Sequence, residues 1–320
     1  MSANRSVQKG GILNSQNQDE YVPPTGREIA DRQNSAEALQ LLLAQRRLYS
    51  QSKRWLGLRW LGMLVIAIVA PVVSVVWPNL AVAAGAVAGA WIFIGRTALS
   101  RLEQRKVEQA AAVQEVFDQL IFGMPSSGDR AALPSLEEIS LLAGPDADVL
   151  SRADKQKLTD WYPIDTSQDG LLAVAICQRA NASYSDRLLK ATAQVWVLGM
   201  AVWTVALIAA GILFKLTAAQ FILGIVMPLL PPFLDVWEYW RSLRRAAVDR
   251  RDLVTTLEQR IAGDAGGLDP QDALVWQGRL FDLRRNAPQV PDSVYWVSRK
   301  RNELAMKSAA NQLAKRAKGE

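Results

Sequence analysis

The sequence predicts an all-α membrane protein, with four transmembrane helices paired as two hairpins and an α-helical cytoplasmic domain built from the central and C-terminal segments. Three observations predict it. Trp60 to Gly95 contains no charged residue, and Ala191 to Leu234 contains only Lys215. A helix crossing a ~30 Å hydrocarbon core needs ~20 mostly apolar residues, so each stretch holds two such lengths. Helices apolar on every face have no side to turn to water, and a soluble fold does not need four of them. The polar remainder shows no run of strand alternation between turn signals and reads as helical.

The first 25 residues are rich in Ser, Asn, Gln and Gly and have no apolar signal core. They read as a disordered tail rather than a cleaved leader. Residues 26–55 form a cytoplasmic helix, expected as one piece from Arg27 to Arg54, with Leu39, Leu43 and Leu48 near helical spacing. Residues 56–95 are the first hairpin, turning at Trp77-Pro78-Asn79. Residues 96–190 return to the cytoplasm, where Leu99, Leu102, Ala110, Val113, Phe117 and Leu120 mark one apolar stripe that ends at Gly123. Ser135 with Glu138, and Thr166 with Asp169, read as capping boxes that open further helices. Another helix covers about Ser151 to Asp160, before Trp161-Tyr162-Pro163.

A stripe of Leu172, Ile176, Ala180, Tyr184 and Leu188 leads into the second hairpin, residues 191–238. Residues 239–320 begin as a charged helix stopped by Gly263, Gly266 and Gly267. Asp269-Pro270 supplies an N-cap and first-turn proline for the next helix, and the last starts near Pro291-Asp292.

Sidedness follows from charge. Arg46, Arg47, Lys53 and Arg54 precede the first hairpin, and Arg96, Arg101, Arg105 and Lys106 follow it. Arg187 and Lys190 precede the second, with Arg241, Arg244 and Arg245 after it. Basic residues stay on the cytoplasmic side of short loops, which places the large segments and both termini in the cytoplasm. The net charge of +6 is therefore a topology signal rather than a sign of a nucleic-acid polymer partner. With no His and only Cys177, the chain has no intrachain disulfide, Ser-His-Asp triad, Cys-His dyad or histidine metal site. No acid–base pair marks an enzyme, and no cofactor is expected.

Few motifs remain. Gly85 and Gly89 make a small-xxx-small pattern that allows close helix packing in lipid, or arise by chance in an Ala/Gly-rich span. Pro228, Pro231, Pro232 and Asp235 lie at the end of the fourth span. Prolines there predict a kink, and Asp235 is a pore or gate residue if deep, an interfacial residue if not. The span lengths lack the carboxylate chains and paired broken helices of pumps and transporters. Four helices are too few to enclose an ion path, so conduction requires an oligomer.

Between the hairpins, Trp161, Tyr162, Arg179, Asn181, Tyr184 and Asp186 form a polar-aromatic cluster. Arg supplies a fork for phosphate, Asn reads a base edge, and Trp or Tyr stacks on a base. The same residues also suit salt bridges and core. Tyr295 to Glu303 reads as a membrane-surface helix with snorkelling basic residues.

Leu42-Leu-Ala-Gln-Arg-Arg-Leu-Tyr-Ser50, Val116-Phe-Asp-Gln-Leu-Ile-Phe-Gly-Met-Pro125, Trp161-Tyr-Pro163, Ile176-Cys-Gln-Arg-Ala-Asn181 and Pro291-Asp-Ser-Val-Tyr295, placed against two pairs of spans, resemble the SMODS-associated four-transmembrane effectors. The resemblance covers about Ala38 to Glu303. Two places depart from the family pattern: Ser126 stands where an aromatic is expected, and Tyr184-Ser185-Asp186 where Trp-Asp is. The resemblance implies a pore-forming anti-phage effector in the bacterial inner membrane. Its activating ligand is a cyclic di- or trinucleotide from a partner nucleotidyltransferase, its other partners are the lipid bilayer and copies of itself, and the host arrests before phage release. The rival from another class is a membrane-anchored receptor or scaffold that conducts nothing.

Overall fold

The computed structural model describes residues 21–126, 131–264 and 266–317, with the side chains of Pro71, Ser74, Val75, Pro78, Ala81 and Pro228 outside that description. The expected N-terminal tail falls, up to residue 20, outside the described residues. All regular elements among the described residues are helices: α1 (Gly26–Gln33), α2 (Ala36–Val76), α3 (Ala81–Ile94), α4 (Ser100–Phe122), α5 (Leu136–Ala143), α6 (Val149–Lys155), α7 (Gly170–Leu213), α8 (Ala218–Phe221), α9 (Met227–Ile261), α10 (Pro270–Arg285) and α11 (Asp292–Ala317).

The helix boundaries follow local chemistry. Ser135 and Glu138 cap α5 reciprocally, and Asp269 caps α10 through the Gln271 amide with Pro270 in the first turn. Gly123 ends α4 in the left-handed region at φ 63°, where a side chain is costly. Two expectations fail. The helix expected from Arg27 to Arg54 is broken, because Ser35 caps a new helix and Asn34 exchanges hydrogen bonds with Asp160, from Nδ2 to its carboxylate and from its amide to Oδ1 (both 3.0 Å). Thr166 and Asp169 form no capping box: Asp165 accepts from the Ser167 amide and hydroxyl at 3.0 and 2.7 Å, and Asp169 precedes α7 without a side-chain cap.

Long helices carry the chain from the soluble body into the apolar zone. Val82–Phe122, which joins α3 to α4 through a π-helical turn at Gly95–Leu99, and the 44-residue α7 are each long and apolar enough to cross a membrane. At ~1.5 Å per residue, α7 reaches ~66 Å, about twice the hydrocarbon thickness. Ala218–Val226 and Leu229–Ile261 make a third span if counted together, bent by 57°. The apolar half of α2 passes over the undescribed side chains and is not counted, although it too exposes Leu61, Leu64 and Ile68. Phe93, Leu198, Val205 and Ile212 are likewise exposed, an arrangement suited to lipid rather than water.

The helical body outside the apolar zone has two main cores. In the larger, Leu39, Leu42 and Leu48 of α2 meet Val113, Phe117 and Ile121 of α4, with Ile139, Val149, Leu158, Val174 and Cys177 around them. Each such side chain contributes ~1.5–3 kcal/mol by leaving water. The predicted α4 stripe is buried at Ala110, Val113 and Phe117, but Leu102 is exposed. In the second core, Ile176 of α7 packs against Leu253, Val254 and Leu257 of α9, Trp276 and Leu280 of α10, and Leu313 of α11. Trp60, Trp196 and Tyr239 join α2, α7 and α9 where body and spans meet, with ring centroids 4.4–5.6 Å apart. Aromatic rings of this kind favour a membrane interface.

Candidate ligand-binding cleft

A cleft of about 680 Å³ opens between α2, the loop after α6, α7, the α10–α11 connection and α11. Its size falls within the ~300–1,000 Å³ of small-molecule sites. The walls are aromatic, with Trp161, Tyr184, Tyr295 and Trp296. Seven basic side chains line it against three acidic ones, an excess of four positive charges. Lys157 and Asp160, which flank the loop on this wall, both hold left-handed backbone, at φ 55° and 51°. Non-glycine residues in that region are uncommon and cluster at functional sites.

Tyr162, Asn181 and Arg284, which line the cleft, are held by a hydrogen-bonded network beneath it. The Tyr162 hydroxyl donates to Asp118 at 2.8 Å and accepts from Asn181 at 3.0 Å. Arg284 lies 2.6 Å from Asp118 and 3.4 Å from Glu115, and Gln277 donates to both carboxylates, at 3.0 and 2.8 Å. These groups are nearly sealed from water, so each needs its partners. Burial pushes the Glu115 carboxyl up to about 7, against the pull of Arg284. Burial, then the Asp118 charge, raises the Tyr162 hydroxyl well above its usual range.

Higher on the walls, Trp296 carries two guanidinium groups, those of Arg46 and Arg299, each 5.4 Å from its ring. Lys53 pairs with Asp292 and Arg299 with Glu303, both at 2.5 Å. Arg46 donates to the Gln156 carbonyl at 2.6 Å. Arg250, on α9, is buried and donates to the carbonyls of Ala246 and Leu283 at 2.9 and 2.6 Å.

Of the six residues expected to bind a ligand, Trp161, Tyr162, Asn181 and Tyr184 come together on this cleft. Arg179 and Asp186 do not line it. Arg179 is turned to α9, where its Nε and a terminal nitrogen meet one oxygen of Glu258 at 2.9 and 2.5 Å. Asp186 is buried and bonded to Lys190 at 2.8 Å, one turn along the same helix. The stretch from Tyr295 to Glu303, expected on the membrane surface, supplies part of the cleft wall instead.

The span residues are also placed. Asp235 is buried and accepts from Arg96 Nε at 2.6 Å, while Arg96 also reaches Glu238 at 3.0 Å. This ion pair ties the end of α3 to α9. Pro231 and Pro232 lie inside α9, beyond the 57° bend, while the side chain of Pro228 lies outside the described residues. A side chain added at Gly85 or Gly89 meets nothing within 4 Å, so the two glycines make no close helix contact within the protomer. Close glycine contacts form instead where Gly62 lies under Trp91 and Gly211 under Phe221.

Arg46, Arg250, Arg284 and Trp296 also line the cleft, and the sequence reading does not single them out for it. Arg250 had a legible signal: Leu243, Ala247, Arg250, Val254, Leu257 and Ile261 are all buried at three- to four-residue spacing. A charge therefore stands on the apolar stripe. Among the described residues, no three His, Cys, Asp or Glu side chains come together to hold a metal ion.

The all-helical body, membrane-length helices and basic cleft define a helical membrane protein with a cleft of ligand size in its polar body. The model of the SMODS-associating 4TM effector domain family matches residues 27–313. The chain belongs to that family. It is also 21% identical over 296 residues to a probable CBASS effector molecule of Bacillus cereus strain VD146, covering 87% of this chain and 95% of that protein. No solved structure matches the chain.

Proposed function

We propose that this protein is a bacterial anti-phage effector that binds a cyclic oligonucleotide in the cleft and permeabilises or depolarises the inner membrane as an oligomer. The observation that carries the reading is the cleft itself, in a chain of an effector family. Aromatic walls offer stacking faces for bases, Asn181 offers a base-edge partner, and the excess positive charge suits a ligand that carries a phosphate on every nucleotide.

In this reading the two hairpins give four spans, with the cleft and both termini on the cytoplasmic side. The mechanical link is helix continuity. α2 and α7 reach the cleft and run as single helices into their apolar stretches, and α9 reaches it from beyond the 57° bend. A ligand that binds one arrangement of these helices better than another shifts their balance, and binding both equally shifts nothing. The Arg96–Asp235–Glu238 ion pair between α3 and α9 serves as the restraint on the closed state.

Co-expression with a cyclic-oligonucleotide synthase, followed by a potential-sensitive dye, tests the reading. Depolarisation that needs both proteins supports it. A membrane potential unchanged while the synthase is active overturns the pore and leaves an anchored receptor.

A further inference from the structure

We infer that Arg250 is the residue that receives a phosphodiester of the ligand in the cleft, an assignment that rests on the cyclic-oligonucleotide reading above. The inference comes from how its charge is housed. Arg250 is 4% exposed and lines the cleft. Two of its donors go to backbone carbonyls, of Ala246 on its own helix and of Leu283 in the last turns of α10. No carboxylate of the described residues lies within ion-pair distance. The buried carboxylate of Asp186, on the helix beside it, is taken by Lys190.

The other cations of the cleft are differently placed. Arg284 is neutralised by Asp118 and Glu115, Lys53 by Asp292 and Arg299 by Glu303. Arg46 stacks on Trp296 at the wall. Lys157 and Lys307 are exposed. Arg250 alone among the described cleft cations is buried with no carboxylate at ion-pair distance; Asp249 and Asp186 act on its charge only from farther away.

Buried charges are ordinarily paired, because an unpaired one gives up its hydration for nothing. An arginine with free donors in a planar fork matches the two non-bridging oxygens of a phosphodiester. Binding there supplies the missing counter-charge. The position also gives the contact a consequence. Arg250 and Asp235 share α9, fifteen residues or ~22 Å apart along one helix, so a pull on Arg250 acts on the ion pair with Arg96.

The test uses the full chain in nanodiscs, titrated calorimetrically with cyclic di-AMP, cyclic GMP–AMP and cyclic triadenylate. Inorganic phosphate and dihexanoyl phosphatidylglycerol serve as separate arms. Arg250→Met removes the charge and keeps most of the length, but it also gives up the bonds to the Ala246 and Leu283 carbonyls, so its melting is followed in parallel and affinity is read on the folded fraction. Its affinity for whichever cyclic nucleotide the wild type binds should fall about 10- to 100-fold, the range of one lost charged hydrogen-bond pair. The salt dependence of binding should flatten with it, which a purely structural role does not produce. Arg250→Lys, which retains charge without the fork, should fall between.

An Arg250→Met protein with wild-type affinity and salt dependence overturns the inference while the cleft reading stands, provided Trp161→Ala loses binding. If Arg250→Met does not fold, Arg250→Lys carries the test, and wild-type affinity with wild-type salt dependence in Arg250→Lys overturns the inference. Saturable phosphatidylglycerol binding lost in Arg250→Met, with no cyclic nucleotide bound, reassigns the phosphate to lipid and overturns the nucleotide assignment. A wild type that binds none of the three nucleotides overturns the cleft reading and the inference together.

Discussion

Replacing Glu115 by glutamine should make the protein more stable at pH 8 and change it far less at pH 5. Glu115 is 7% exposed in its side chain, on α4, facing Arg284, Asp118, Gln277 and Gln119. Burial raises its folded value to about 7 from an ordinary 4.5. A carboxyl that binds its proton more tightly when folded stabilises the fold below about pH 4.5, and that stabilisation is lost as pH rises through about 7. At ~1.4 kcal/mol per pH unit, the gap corresponds to about 3 kcal/mol between the two limits. Glutamine is uncharged throughout and does not carry that loss. Melting in nanodiscs from pH 5 to pH 8 measures the effect. In soluble domains one kcal/mol moves Tm by ~2–4 °C, so the two curves should part by several degrees as pH rises. Curves that stay parallel across the range refute the reasoning, since Glu115 would then titrate alike folded and unfolded.

Two further predictions concern the ion pairs. Arg179→Ala should lower Tm by a few degrees, through loss of the Glu258 contact that joins α7 to α9, while ligand affinity measured on the folded fraction stays at the wild-type value; an affinity loss without a change in Tm contradicts this. Asp235→Asn removes the charge that holds Arg96 and should raise resting leak of reconstituted vesicles without ligand. Restoration of tight vesicles by Arg96→Asp with Asp235→Arg would show that the pair itself is the restraint, and leak equal to wild type in Asp235→Asn would show that it is not.

Helix punctuation was legible where a residue acts on its own neighbours. Ser135, Gly123 and Asp269-Pro270 cap or stop helices through contacts within four residues, and the chain chemistry specifies them directly. The same reasoning missed the Asn34–Ser35 break, because Asn34 answers to Asp160, 126 residues away. Thr166 lost its role to the nearer competitor Asp165. Trp161, Tyr162, Asn181 and Tyr184 lie close together in sequence and line one cleft. Arg46, Arg250 and Trp296 reach the same cleft from separate helices, and nothing local ties them to it. Arg179 and Arg250 are both helical arginines in a basic chain, and only the helix face each occupies distinguishes an ion pair with Glu258 from a buried place beside the cleft.

The central claim joins a cytoplasmic ligand to the state of the spans, so it is tested most directly on one preparation that reports both. The full chain reconstituted in dye-loaded liposomes, with the cleft facing outward, is titrated with the cyclic nucleotide that it binds while leak is followed. Leak that rises with occupancy, and that Trp161→Ala and Arg250→Met shift to higher ligand concentration, is the predicted result. Vesicles that stay sealed while the cleft is saturated contradict the account and leave the spans as anchors.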